Sequence, residues 1–339
     1  MKKLIRQFKI ALPLLFLAQL NGFAQDDNDH DNKNENKKRY EFVKTKSVNK
    51  SYNVSSSDKL NIQNSFGSVE VHTWNKNEIK VDVSIEVSAN SDVLAQKMLD
   101  RISVSDEKNS KEILFKTSMK DINNSKNEKS SMSINYTISM PATNPLEIKN
   151  EFGSTIIPDY RGAVALTSKF GSLTTGNLPN VKTIDVEFGK GKFQNLTDGA
   201  ITIKYSKAEF AKLSGKIKLN LQFCNSIVMN VDNSLTGLDV KTSYSNINIK
   251  PSTDLSASYN ISTSFGTLKN RTAIKFDGDD DDRDGRGPKF DHQYNGKSGN
   301  GNIPIKINTS FGNVILGEPG ADDMKDKNKS KSKTKTKTS

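Results

Sequence analysis

Nine times along the chain an aromatic residue is followed by Gly, Ser or Cys: Phe66-Gly67, Phe152-Gly153, Phe170-Gly171, Phe188-Gly189, Tyr205-Ser206, Phe223-Cys224, Tyr244-Ser245, Phe265-Gly266 and Phe311-Gly312. From Phe152 to Phe265 the steps are 18, 18, 17, 18, 21 and 21 residues. Four places before every one of these aromatics stands an aliphatic: Ile62, Ile148, Leu166, Ile184, Ile201, Leu219, Val240, Ile261 and Ile307. A separation of four keeps two side chains on one face of a β-strand, because side chains alternate with period two. Further apolar positions recur beyond the small residue, among them Val69, Leu173, Phe193, Phe210, Ile247 and Val314. The unit therefore reads as strand, tight corner, strand. A unit of 18–21 residues cannot bury its own apolar face and has to stack on its neighbours.

The expected fold is all-β: a parallel single-stranded β-solenoid (β-helix), with turns about 4.8 Å apart and equivalent residues aligned in ladders. Under that expectation the nine rings form one internal, dry column. Because Ser and Cys share the corner position with Gly, the corner demands lack of room rather than a positive φ. Glu151, Lys169, Glu187 and Lys204 directly precede successive aromatics and alternate in sign along the stack. Such exposed pairs favour one register but contribute only about 0–1 kcal/mol each.

Residues 78–145 follow another pattern. Ile79, Val81, Val83, Ile85 and Val87 alternate strictly, as a strand with one buried face does. Val93, Leu94, Met98, Leu99 and Ile102 fit one face of a short helix at about 91–103. Further strands are expected around Ile113–Phe115 and from Met132 to Met140, closed by Pro141. The organisation read from the chain is a signal peptide at 1–24 and a polar linker at 25–50. A β-rich section carrying one helix follows at 51–145. The repeat array covers 146–317, with an acidic and Gly-rich loop insertion at about 276–302, and a Lys/Ser/Thr-rich tail occupies 318–339.

The start of the chain fits export. Lys2, Lys3, Arg6 and Lys9 give a positive opening, Ile10 to Ala18 a short apolar run, and Gly22-Phe23-Ala24 a small-x-small exit. The apolar run falls short of the roughly 20 residues a membrane span needs. Cys224 is the single cysteine and lies far from that exit, so a lipidated mature N-terminus, an internal disulfide and a Cys-based zinc site are all excluded. Net charge is +11, but four basic residues lie in the leader, and residues 325–339 hold seven Lys against one Asp. The remainder has 39 basic and 38 acidic residues, so a basic nucleic-acid-binding body is excluded. The expected product is exported, to periplasm or cell surface, with no transmembrane segment in the mature chain.

A signal-like start, an alternating strand, one short helix, a strand ending in Met140-Pro141 and repeated Phe-Gly-Ser/Thr units together resemble the head-GIN-like "putative adhesin" family of exported bacterial β-solenoids. The run Tyr294-Asn-Gly-Lys-Ser-Gly-Asn-Gly leading into Ile305-Lys-Ile-Asn-Thr-Ser-Phe-Gly is similar to members of that family. The resemblance covers about residues 50–317. It implies a solenoid and an adhesin-like role, and brings no catalytic residues with it.

Residues that could carry chemistry are sparse. His30, His72 and His292 are the only histidines, and no Gly-x-Ser-x-Gly elbow accompanies them. The glycines are spaced by the repeat rather than gathered into a phosphate loop. The acidic tract 277–285 places Asp280, Asp282, Asp284 and Gly285 at calcium-loop spacing, with Asp291 at the twelfth position. Gly287 stands where an aliphatic is usual and Asp291 where a bidentate Glu is usual, so the tract reads first as a solvated acidic loop and second as a calcium site. The expectation is a non-enzymatic, adhesin-like surface or envelope scaffold without a cofactor, calcium aside, whose ligand is an envelope or surface polysaccharide or protein. The alternatives are a carbohydrate-active β-helix of the polysaccharide-lyase kind, for which Arg161 and Arg271 are the only arginines in the regular array outside the loop insertion, and calcium binding through residues 277–291.

Overall fold

The computed structural model describes residues 40–120, 127–278 and 290–320, all within one unit, Arg39–Ser339. The signal-like segment 1–24, most of the expected linker and the tail after Gly320 lie outside the described residues. The described residues are all-β with one helix.

Each aromatic marks a corner between two strands. Phe66 joins β2 (Lys59–Ser65) to β3 (Val69–Trp74), Phe152 joins β8 (Leu146–Glu151) to β9 (Ser154–Ile157), and Phe170 joins β10 (Val164–Lys169) to β11 (Ser172–Leu178). Phe188, Tyr205, Phe223 and Tyr244 separate β12 (Val181–Glu187), β13 (Lys190–Lys204), β14 (Lys207–Gln222), β15 (Ser226–Ser243) and β16 (Ile247–Pro251) in succession. Phe265 joins β17 (Ala257–Ser264) to β18 (Leu268–Asn270), and Phe311 joins β21 (Ile303–Ser310) to β22 (Val314–Leu316).

These corners stack by parallel pairing in strict register. The aliphatics four places before the rings meet in one row: Ile62, Ile148, Leu166, Ile184, Ile201, Leu219, Val240, Ile307 and Ile261. All nine are buried. The stack departs from chain order near its end, because β21 lies between β15 and β17 and β22 lies between β16 and β18. The last unit of the chain is thus inserted one layer before the unit that precedes it.

The sheet as a whole is mixed, which corrects the expectation of a purely parallel one. At one end β1 (Phe42–Asn53), β4 (Glu78–Ala89) and β7 (Ser130–Pro141) pair antiparallel, as do β5 (Ile102–Lys108) and β6 (Glu112–Met119). At the other end β20 (Asp291–Lys297) runs antiparallel to both β17 and β19 (Phe276–Gly278). A stack of identical layers leaves an unpaired edge at each end, and the antiparallel strands folded onto those ends cover the stack with a different strand edge. Two boundaries shift accordingly. β1 takes in residues expected in the polar linker, and the expected loop at 276–302 contains two strands, with 279–289 outside the described residues.

The helix α1 (Asp92–Leu99) is shorter than the spacing suggested. Ser91 caps it, its Oγ accepting from the Leu94 N–H at 3.2 Å, which satisfies one of the donors a helix start leaves open. Leu94, Ala95, Met98 and Leu99 are buried against the core. Val93, expected on that face, is exposed, and Ile102 belongs to β5.

One charged group ties three adjacent strands. Lys59 on β2 donates from Nζ to Glu112 on β6 at 2.8 Å and to Glu147 on β8 at 3.1 Å. The Lys59 bond, with help from the Asn61 amide, holds the Glu112 carboxyl below its usual value of 4.5. A carboxyl lowered on folding stabilises fully above its unfolded value, and that contribution is lost as pH falls through the lower folded value. Stability measured by urea titration should therefore drop below about pH 4.5, and Glu112→Gln should flatten that drop by under about 1 kcal/mol, since the groups are only partly buried. An identical acid slope in the variant would remove Glu112 from the account.

Candidate functional site: an outward aromatic stripe

The nine rings stand in a single column, as the spacing predicts, but the column is on the outside. Consecutive rings lie 4.7–5.0 Å apart and within 6° of parallel, in the order Phe66, Phe152, Phe170, Phe188, Tyr205, Phe223, Tyr244, Phe311, Phe265. Phe290 continues it, 4.8 Å from Phe265 at an interplanar angle of 24°. Nine steps near 4.8 Å make a stripe about 43 Å long. From Phe152 onward the residues are 43–53% exposed, so the expected dry interior column is corrected to a half-exposed one.

The backbone explains the reversal. Every one of the nine corner aromatics has φ between 50° and 66°, the left-handed region that L residues rarely enter. Alternation along the incoming strand would point the ring inward, in line with the buried aliphatic four places earlier. A single left-handed residue breaks that alternation, turns the chain and swings its own side chain out. The dihedral demand thus falls on the aromatic, while the following residue meets the lack of room inferred from the sequence. A Cβ on Gly153, Gly171, Gly189, Gly266 or Gly312 would lie 1.8–2.1 Å from the carbonyl oxygen of the neighbouring corner. Where Ser replaces Gly, the hydroxyl becomes the inter-layer contact: the Gly189 N–H donates to Ser206 Oγ and the Cys224 N–H to Ser245 Oγ, both at 2.9 Å.

Holding a non-glycine residue at positive φ costs about 1–2 kcal/mol, and an aromatic pair returns about 0.5–1.5 kcal/mol beyond its burial. Alanine keeps that strain, so what Phe188→Ala removes is the half-burial of the ring and its stacking, while glycine also relieves the strain. Phe188→Ala should then cost about 1–2 kcal/mol rather than the 3–5 kcal/mol of a buried ring. Phe188→Gly should cost less than Phe188→Ala, because glycine accepts φ 53° without strain. Urea midpoints check both values; a larger loss for Gly than for Ala would contradict the strained corner.

A charged row and a Ser/Lys row flank the stripe. On the side of the incoming strands, Ser65, Glu151, Lys169, Glu187, Lys204 and Gln222 lie in register, with Lys169 Nζ 3.4 Å from the Glu187 carboxylate. On the other side Ser154, Ser172, Lys190, Lys207 and Ser226 are likewise in register. A cleft of about 740 Å³ opens beside the rings of Tyr244 and Phe311, lined by Lys207, Cys224, Ser245, Asn248 and Asn313 among others.

The residues singled out for other chemistry are not brought together. His72 lies 3.2 Å from Glu70 on β3. His292 stacks near Tyr294 on β20. The Cys224 thiol is buried, and burial pushes its pKa up, away from the reactive thiolate. Of the calcium-spaced set, Asp280, Asp282 and Asp284 lie outside the described residues, while Asp291 accepts a short hydrogen bond from Ser264 Oγ. Among the described residues no three His, Cys, Asp or Glu side chains gather as a metal site. Sequence reasoning missed Phe290 as the tenth ring, because it has neither the aliphatic four places earlier nor the small residue after it and joins the column from an antiparallel return. It also missed the insertion of Phe311 between Tyr244 and Phe265.

No family model and no curated protein matches the chain. Solved structures similar to it include the following three. One is a "putative cell adhesion protein" from Clostridium sporogenes, at 12% identity, covering 81% of this chain and 100% of that one with a TM-score of 0.25. Another is a "putative adhesin" from Bacteroides fragilis, at 13% identity, covering 80% and 97% with a TM-score of 0.36. The third is a "putative lipid binding protein" from Parabacteroides distasonis, at 9% identity, covering 82% and 98% with a TM-score of 0.23. At TM-scores this low the chain's own residues carry the functional reading. Among the described residues no helix is long and apolar enough to cross a membrane.

Proposed function

We propose that this chain is a non-enzymatic, exported, adhesin-like scaffold: a β-solenoid whose corner stripe is its contact surface. One observation carries the reading, the continuous column of half-exposed rings held at positive φ. Strained backbone is retained where the surrounding structure over-determines it, and such strain clusters at sites with a function. A contiguous apolar strip of this length is also more than scattered surface residues account for, and such strips mark interaction sites. The rings meet solvent by their edges, because their faces are taken up by the neighbouring rings. That favours an apolar docking ridge over a platform on which sugars or bases stack face-on, and so favours contact over the polysaccharide-lyase alternative.

The test compares the full chain with a variant carrying Phe152→Ser, Phe188→Ser and Phe223→Ser in sedimentation with isolated bacterial envelope. The expected result is that the parent protein co-sediments and the variant, still folded by circular dichroism, does not. Equal co-sedimentation would overturn the stripe as contact surface. Turnover of acidic polysaccharides by the purified protein would overturn the non-enzymatic reading.

A further inference from the structure

Resting on the stripe being a contact surface, we propose that its partner is a second copy of this chain, docked stripe to stripe with the two stacks running antiparallel. The argument is the charge order beside the rings. Face-to-face docking of two identical ridges about a two-fold axis leaves two arrangements. With the axis across the ridge, the stacks are antiparallel and each flanking row meets its own equivalent in reverse order. With the axis along the ridge, the stacks are parallel and the charged row meets the Ser/Lys row.

The antiparallel arrangement has one register that pairs every charge. Centred between the layers of Phe170 and Phe188, it sets Glu151 against Lys204 and Lys169 against Glu187 in both directions, and Ser65 against Gln222 at the ends. The other row sets Ser154 against Lys207 and Ser172 against Lys190, so each lysine there faces a hydroxyl. Moving the centre by half a layer in either direction places like charges together: Glu151 against Glu187, or Lys169 against Lys204. The parallel arrangement sets Glu187 against Lys190 but Lys204 against Lys207, and leaves Glu151 and Lys169 facing serines. Like-charge juxtaposition disfavours the half-layer registers, and a shift by a whole layer leaves two of the four charges without an opposite, so the centred register is the one that pairs all four. The order Glu, Lys, Glu, Lys, which pairs neighbouring layers within one chain (Lys169 with Glu187), is also complementary to its own reverse.

The area is consistent. Phe152, Phe170, Phe188, Tyr205 and Phe223 are 43–48% exposed, and with side chains of order 200 Å² each they offer roughly 450 Å² per copy. The two flanking rows bring that toward the about 800 Å² per partner of a standard interface.

The experiment is sedimentation velocity on the full chain with paired charge reversals. Wild type should dimerise. Lys169→Glu with Lys204→Glu makes the row uniformly negative, and Glu151→Lys with Glu187→Lys makes it uniformly positive; each should self-associate at least about tenfold more weakly. An equimolar mixture of the two variants should restore the dimer. Circular dichroism confirms that each variant is folded. A wild type that stays monomeric at high concentration, reversals that leave association unchanged, or a mixture that fails to re-associate would each overturn the second copy as partner. A monomeric wild type that still binds envelope, and loses that binding with the ring variant, would overturn only this inference and leave the contact surface standing.

Discussion

Gly171→Ala should cost the protein more than the loss of any single corner ring. The new Cβ would sit 1.9 Å from the Gly153 carbonyl oxygen, and both partners are backbone, so no side chain can rotate away. Ser206, Cys224 and Ser245 carry a Cβ at equivalent corners with the rings still 4.8–5.0 Å apart, so relief at Gly171 requires its corner backbone to shift against the parallel hydrogen bonds on both sides. Overpacking of this kind costs about 1–3 kcal/mol, and the backbone-to-backbone clash places this variant at the upper end. Gly171 is not at positive φ, so the effect is one of room and not of dihedral strain. Gly237→Ala is the control: its Cβ would meet Pro304 at 3.7 Å, an ordinary contact, and stability should change by under about 0.5 kcal/mol. Thermal and urea unfolding measure both. A Gly171→Ala protein as stable as wild type would mean the corners do not approach one another as closely as described.

The second large effect belongs to the rings that are buried. Phe193 and Phe210, both essentially inaccessible, stack at 4.9 Å inside the array on β13 and β14. Phe210→Ala should cost about 3–5 kcal/mol through lost transfer energy and the cavity left behind. Phe193→Ala should cost a similar amount, and the double variant less than the sum, because the two share one cavity. The pairing with Phe188→Ala is informative, since a corner ring and an inner ring of the same type then differ by about 2 kcal/mol in urea titration. Equal losses at Phe188 and Phe210 would put both rings in the same environment.

How far the chain discloses this depends on which rule governs each residue. The aliphatic row from Ile62 to Ile307 is legible, because period-two alternation holds all along an incoming strand. The crowding at Gly153, Gly171 and Gly189 is legible as well, since Ser and Cys at equivalent corners speak against a glycine-only dihedral. The side on which the rings lie is not legible by alternation, which fails at a single left-handed residue. The signal for it is present only indirectly: Glu151, Lys169, Glu187 and Lys204 sit beside the rings, on the face that meets water. The antiparallel caps and the insertion of β21 and β22 depend on long-range pairing that local pattern does not encode. Phe193 and Phe210 were visible as apolar positions but not separable from the corner rings by composition.

The most direct measurement of the central claim is hydroxyl-radical footprinting of the full chain carrying Glu151→Lys and Glu187→Lys, so that no self-association covers the stripe. The structure predicts that Phe152, Phe170, Phe188, Tyr205, Phe223 and Tyr244 are oxidised along with Phe290, while Phe193 and Phe210 stay protected until urea unfolds the chain. Corner rings as protected as Phe193 and Phe210 would contradict the outward column and the contact surface built on it.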